Sequence, residues 1–184
     1  LGGILLVNGQ SFRIKRQDIP SLFLLALLYL MSAVFLFWGY KFMASGVATT
    51  IHFMYPVLTT LIMMLFFKEK KSGWRIAAIA SAVAGVYFLS GGDTKTGSVS
   101  FLGLFIVLLS ALGYALYLVT MSQLKIGQMK GLLLTFYVFL FGGILLFIGT
   151  ETISQLQPIS KWHTAGNLIL LALIPTVVSN LALV

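Results

Sequence analysis

Long uncharged apolar runs leave this chain few choices of fold. They extend from Ile19 to Tyr40, Phe42 to Phe67, Ile76 to Gly92, Thr96 to Leu124 and Gly131 to Thr150, and a sixth begins near Thr164 and continues to Val184. An α-helix needs about 20 apolar residues to cross the hydrocarbon core of a bilayer. In lipid each backbone polar group must find its partner within the segment, so runs of this length are read as helices. The chain is 59% hydrophobic and only 9% charged, where a soluble domain carries about a quarter charged residues. The expected fold class is therefore all-α: a polytopic helix bundle in a membrane. The run 42–67 is too long for one straight crossing, so its first residues are expected to form a turn after Lys41. Residues 1–9 read as the end of an earlier span. The chain opens and closes inside apolar runs, and it is expected to be an internal piece of a longer protein.

Basic residues predict the orientation, because Lys and Arg concentrate in cytoplasmic loops. Alternate separators hold Arg13, Lys15 and Arg16, then Lys68, Lys70, Lys71 and Arg75, then Lys125 and Lys130, nine in all. The intervening separators hold three, Lys41, Lys95 and Lys161. Loops 10–18, 68–75 and 122–130 are thus expected in the cytoplasm, with Asp93 and Glu151 on the other side. The net charge of +8 is accounted for by this pattern, which gives no reason to expect a nucleic-acid partner.

A pentapeptide occurs twice: Gly2-Gly3-Ile4-Leu5-Leu6 returns as Gly142-Gly143-Ile144-Leu145-Leu146, an offset of 140, and Gly9 matches Gly149. Further along, Leu28, Leu30 and Val34 match Leu171, Leu173 and Val177 at an offset of 143. The second copy lies five helices after the first. That number is odd, so the repeats run in opposite senses. A duplicated five-span unit implies a parent fold of ten helices made of two inverted five-helix repeats, an arrangement in which transporters place the substrate between the repeats.

Polar residues inside the spans mark the candidate site. On 42–67, Thr49, His52, Pro56 and Thr59 recur at helical spacing, with Tyr55 and Thr60 beside them. An ionisable group within a span is a functional candidate, and an imidazole titrates near physiological pH, which leaves proton coupling through His52 open. Pro56 removes a backbone hydrogen bond, and a break of that kind is tolerated where it faces protein or a wet cavity. Pro175 holds the corresponding place in the last run, with Asn180 following it. Both prolines are candidate gate or hinge positions. On 96–124, Ser110, Gly113, Tyr114, Tyr117 and Met121 share one face. Tyrosines suit an amphipathic solute, offering a ring to stack on and a hydroxyl to bond. The candidate solute contacts are His52, Tyr55, Thr59, Ser110, Tyr114, Tyr117 and Asn180. Trp38 and Tyr40 sit near a span end, where interfacial aromatics are ordinary.

Other chemistries find little support. The spans contain no Asp, Glu, Lys or Arg, and the chain has no Cys. No His-Glu-x-x-His zinc helix, Gly-x-Ser-x-Gly elbow or Gly-x-x-x-x-Gly-Lys phosphate loop is present. No catalytic residue, metal or cofactor is expected.

The order of soft motifs resembles a known family. Lys41 through Thr60, with Pro56-Val57 at its centre, runs into Phe66-Phe67-Lys68-Glu69-Lys70. It is similar to the EamA repeat of the drug/metabolite transporter superfamily, in which a helix with a central Pro-Val ends in a Phe/Leu-x-Glu box. The next helix starts at Gly73-Trp74-Arg75 and carries Gly85-Val86, as in that repeat. Gly103 through Ser110-Ala111 resembles the opening of the family's second repeat. The resemblance implies that residues 1–94 are the C-terminal part of the first repeat (the end of span two and spans three to five). Residues 95–184 would be the N-terminal part of the second (spans six, seven and a truncated eighth). It also implies transport of a small organic metabolite such as an amino acid or drug. The expected function is alternating-access transport across the inner membrane, with a small solute and the lipid bilayer as partners. The alternative is a non-transporting integral membrane protein: an assembly or signalling subunit, or an intramembrane enzyme.

Overall fold

The computed structural model describes residues 14–67, 73–91, 100–124 and 131–153, together with Trp162, Gly166 and Leu170. Six α-helices carry nearly all of them: α1 (Ile19–Gly39), α2 (Ser45–His52), α3 (Tyr55–Phe66), α4 (Gly73–Gly91), α5 (Phe101–Gln123) and α6 (Gly131–Ile153). A 3-10 turn, Arg16–Asp18, leads into α1. No strand occurs among the described residues.

Three segments are long and apolar enough to cross a membrane: Arg16–Gly39, Ser45–Phe66 and Phe101–Gln123. At 24, 22 and 23 residues and 1.5 Å of rise per residue, each covers at least the ~30 Å of a hydrocarbon core. The apolar parts of α4 and α6, Ile76–Val86 and Leu133–Gly149, are shorter. The expected span 164–184 lies almost wholly outside the described residues.

The run 42–67 does begin with a turn. Lys41 N–H donates to the Trp38 carbonyl (3.1 Å) and Phe42 N–H to the Gly39 carbonyl (2.9 Å), which reverses the chain before α2. Tyr40 braces this turn. Thr49 Oγ1 donates its proton to the Ser45 carbonyl at 2.7 Å, so the 3.1 Å contact from Tyr40 to Thr49 Oγ1 is a donation by the tyrosine hydroxyl. The rest of the run is two helices joined at Phe53–Met54. Pro56 has no N–H for the His52 carbonyl, and Met54 N–H bonds the Ile51 carbonyl instead, tightening the last turn of α2. Pro56 then sits in the first turn of α3, where a missing donor costs nothing. The polar stripe expected along one continuous helix is thus split, with Thr49 and His52 before the break and Pro56 and Thr59 after it.

The chain divides into two compact units. One comprises Leu24–Lys125, and the other comprises Leu1–Phe23 with Ile126–Val184. In the first, α2 and α3 pack on α5, and α3 also touches α4. Pairs along α5 give the register: Gly103 meets Phe42, Val107 packs with Ala48 and Ile51, Ser110 meets His52, and Tyr114 meets Tyr55. Numbers rise together, so α2–α3 run in the same direction as α5. Against α1 the numbers oppose, with Gly39 beside Val107 and Tyr29 beside Tyr117, so α1 is antiparallel to α5. The buried face of α5 is rich in small residues, with Gly103, Ser110, Ala111 and Ala115 beside the β-branched Ile106, Val107 and Val119. Its exposed face carries Phe101, Leu102, Phe105, Leu112 and Leu116. Large apolar groups outside and small residues inside are the packing that a lipid solvent permits. In the second unit, α6 buries Leu133, Leu134 and Val138 and exposes Phe139, Leu140, Ile144, Phe147 and Ile148.

Candidate functional site

Backbones approach closely where α1 and the turn after it meet α5. A methyl group on Gly39 would run into the Val107 side chain. One on Gly103 would lie 2.6 Å from Phe42 Cβ. That proximity lets short side chains bond across the seam. Ser32 Oγ donates to the Ser110 carbonyl at 2.8 Å, and Ser110 Oγ donates to the Ser32 carbonyl at 2.6 Å. Ser32 and Ser110 are 2% and 0% exposed, so these bonds are shielded from water, where unmade ones would be costly.

Proton counting then fixes the next link. Each serine hydroxyl has one proton, and both are committed to carbonyls. The two hydroxyl oxygens, 3.4 Å apart, have no proton left to share. Ser110 Oγ also lies 3.0 Å from His52 Nδ1. With no proton to give, Ser110 accepts, and His52 donates through Nδ1–H.

Beyond His52 the seam gives way to rings. Tyr55 and Tyr114 meet edge to face at 4.6 Å between centroids, and His52 lies 5.7 Å from each. Tyr29 on α1 closes the group, 6.1 Å from Tyr114 and 5.7 Å from Tyr117, and Tyr114 and Tyr117 are 5.5 Å apart. These separations suit attractive ring pairs. His52, Tyr55, Tyr114 and Tyr117 are each partly buried. The hydroxyls of Tyr55, Tyr114 and Tyr117, and Nε2 of His52, make no hydrogen bond among the described residues. In a low-dielectric interior such groups seek water or a ligand. Among the described residues no ionised side chain takes part in this cluster, and no group of three or more His, Cys, Asp or Glu that could hold a metal occurs.

Depth distinguishes this cluster from an interfacial belt. Tyr29 stands 10 residues from either end of α1. Tyr55 is 10 residues from Ser45 and 11 from Phe66. Tyr114 lies 13 residues into α5 and 9 before its end. Headgroup aromatics sit at helix ends, whereas these three sit near the middles of the three span-length segments.

The structure brings together His52, Tyr55, Ser110, Tyr114 and Tyr117. Ser110 differs from expectation in its manner of contact: it is sealed in the seam and reaches the cluster only through His52. Thr59 is one turn along α3 from Tyr55, and its hydroxyl donates to the Tyr55 carbonyl at 2.8 Å, in-helix. Pro56 is exposed at the start of α3. Met121, at the far end of the expected α5 face, is exposed too. Asn180 and Pro175 lie outside the described residues. Sequence reasoning missed Tyr29 and Ser32. The signal was there, two hydroxyl-bearing residues three apart at the centre of an otherwise apolar span, which puts them on one helix face.

A model of the EamA-like transporter family matches residues 1–91. No curated protein and no solved structure matches the chain.

Proposed function

Because residues 1–91 match a model of the EamA-like transporter family, we propose that the chain is a membrane transporter of that family and moves a small organic solute across the inner membrane by alternating access, with the solute held at the tyrosine–histidine cluster. The observation that carries this reading is the depth of the cluster. Tyr29, Tyr55 and Tyr114 come from three separate span-length segments and meet near the middle of each, and transporter substrate sites lie near the bilayer midplane.

Tyr55, Tyr114, Tyr117 and His52 touch the solute in this reading, and Tyr29 joins them. Ser110 positions His52. Thr59 and Asn180 extend the contact set along their own segments. The break at Phe53–Met54, with Pro56 behind it, serves as a hinge between α2 and α3, and Pro175 serves likewise in the later span. Residues 1–94 and 95–184 belong to two inverted repeats of a ten-helix bundle, with loops 10–18, 68–75 and 122–130 in the cytoplasm. The lack of ionised groups in the cluster favours amphipathic solutes such as amino acids or drug-like molecules over multiply charged anions. Transport accounts for the chain without enzymatic chemistry.

The test is a thermal-shift screen of the purified full-length protein against amino acids, nucleosides, nucleotide sugars and aromatic amines. A ligand that binds only the folded state stabilises it by about 2.7 kcal/mol at a hundredfold excess over Kd. A hit that disappears in Tyr114→Ala supports the site, and hits confined to multiply charged anions contradict it. Proton coupling through His52 is read from flux: the pH dependence of transport disappears in His52→Gln if the imidazole carries the proton, and persists if it does not.

A further inference from the structure

We infer that this site recognises its solute through a hydrogen-bond donor on the solute, an ammonium group above all, accepted by His52 Nε2. The inference rests on the cluster being the solute site. It adds the chemical polarity of that site, which follows from the serine pair behind it.

Neutral histidine has one N–H and one lone-pair nitrogen, and whichever nitrogen is held by a partner decides the other. Here the choice is made two residues away. Ser32 and Ser110 exchange their only hydroxyl protons with each other's carbonyls. Ser110 Oγ can therefore only accept from His52 Nδ1. In the neutral ring, Nε2 on the opposite edge then carries the lone pair. It has no partner among the described residues, and the rings of Tyr55 and Tyr114 flank the imidazole. An acceptor on an imidazole flanked by tyrosine rings fits an ammonium or an aromatic N–H. The first gains a charge-assisted hydrogen bond, and the nearby rings add attraction for a cation. A carboxylate gains neither from this edge of the site. Ser32 and Ser110 are positioning residues in this scheme, since they set the tautomer without meeting the solute.

Three matched probes isolate this term on the purified full-length protein: phenethylamine, its N-trimethyl analogue and 3-phenylpropionate. The first is a donor cation, the second a cation without a donor, the third an anion of similar bulk. Phenethylamine is expected to bind at least about tenfold more tightly than either of the others, the equivalent of one hydrogen bond. In His52→Asn the amide can still donate to Ser110 but offers no acceptor where Nε2 stood. It is expected to weaken phenethylamine binding about tenfold while leaving the ligand-free melting temperature close to that of the parent. The tautomer itself is read by ¹⁵N NMR of histidine-labelled protein, with His52 assigned by its loss in the variant. Nδ1 protonated in the parent and a tautomer mixture in Ser110→Ala is the expected pair of spectra.

Equal binding of the trimethyl analogue would overturn the inference, because ring–cation attraction alone would then suffice. Tighter binding of 3-phenylpropionate, or an Nε2–H tautomer in the parent, would also overturn it. So would no binding of any probe. In that last case a different solute that binds the parent but not Tyr114→Ala would leave the transport site standing while its acceptor polarity falls.

Discussion

The interface around α5 has two ends built on opposite principles. At one end, Gly39, Gly103, Ser32 and Ser110 bring backbones together, bury their side chains and complete their own hydrogen bonds. At the other, Tyr29, Tyr55, Tyr114 and Tyr117 keep bulk between the helices, and three of the four hydroxyls lack a partner among the described residues. His52 stands at the junction, with one nitrogen committed to the seam. The seam satisfies itself and needs no ligand, whereas the cluster has polar capacity left over. In a membrane interior that surplus is costly unless water or a solute meets it. The contrast separates residues that hold the helices together from residues available to bind.

Substitutions should reproduce this division as effects on folding at one end and on binding at the other. The largest stability loss is expected from Gly103→Val. Its Cβ would sit 2.6 Å from Phe42 Cβ, an atom fixed close to the backbone. Overpacking of that kind costs about 1–3 kcal/mol, measured as thermal unfolding in detergent. Ser110→Ala comes next, at roughly 1–2 kcal/mol, because it strips a partner from both the Ser32 carbonyl and the His52 Nδ1–H. Ser32→Ala leaves the Ser110-to-carbonyl bond in place and is expected to cost only about 0.6 kcal/mol, the average for an interhelical hydrogen bond in a membrane. Tyr114→Phe should fall within about 0.5 kcal/mol of the parent when ligand-free, since its hydroxyl bonds nothing among the described residues. If Tyr114→Phe destabilises as much as Ser110→Ala, the cluster is structural and the division fails.

Much of the coarse plan is legible in the sequence, and the reasons are physical. Apolar run length predicts α1 and α5 to within a few residues, because bilayer thickness sets the length of a crossing helix. Tyr114 and Tyr117 are legible as one face of α5 because polar groups stand out against an apolar background. The break at Phe53–Met54 is only half legible. Pro56 signals that a hydrogen bond is lost, but whether the helix bends or divides depends on the packing around it. The pairing of Ser32 with Ser110 could not be read. In lipid both the packed and the exposed faces of a helix are apolar, so periodicity no longer tells inside from outside. α6 shows this most clearly: it is apolar on its buried and exposed sides alike. Tyr29 and Ser32 do stand out as one polar face of α1, but which helix that face meets is set by packing.

The central claim, that solute binds where the tyrosines meet, is tested most directly by measuring solute affinity of the full-length protein in proteoliposomes for the parent, Tyr114→Phe and Ser32→Ala. Tyr114→Phe is predicted to weaken affinity about tenfold, the equivalent of one lost hydrogen bond, at an unchanged melting temperature. Ser32→Ala is predicted to lower the melting temperature with a smaller effect on affinity. Unchanged affinity in Tyr114→Phe and also in Tyr114→Ala would contradict the claim and place the solute elsewhere in the bundle.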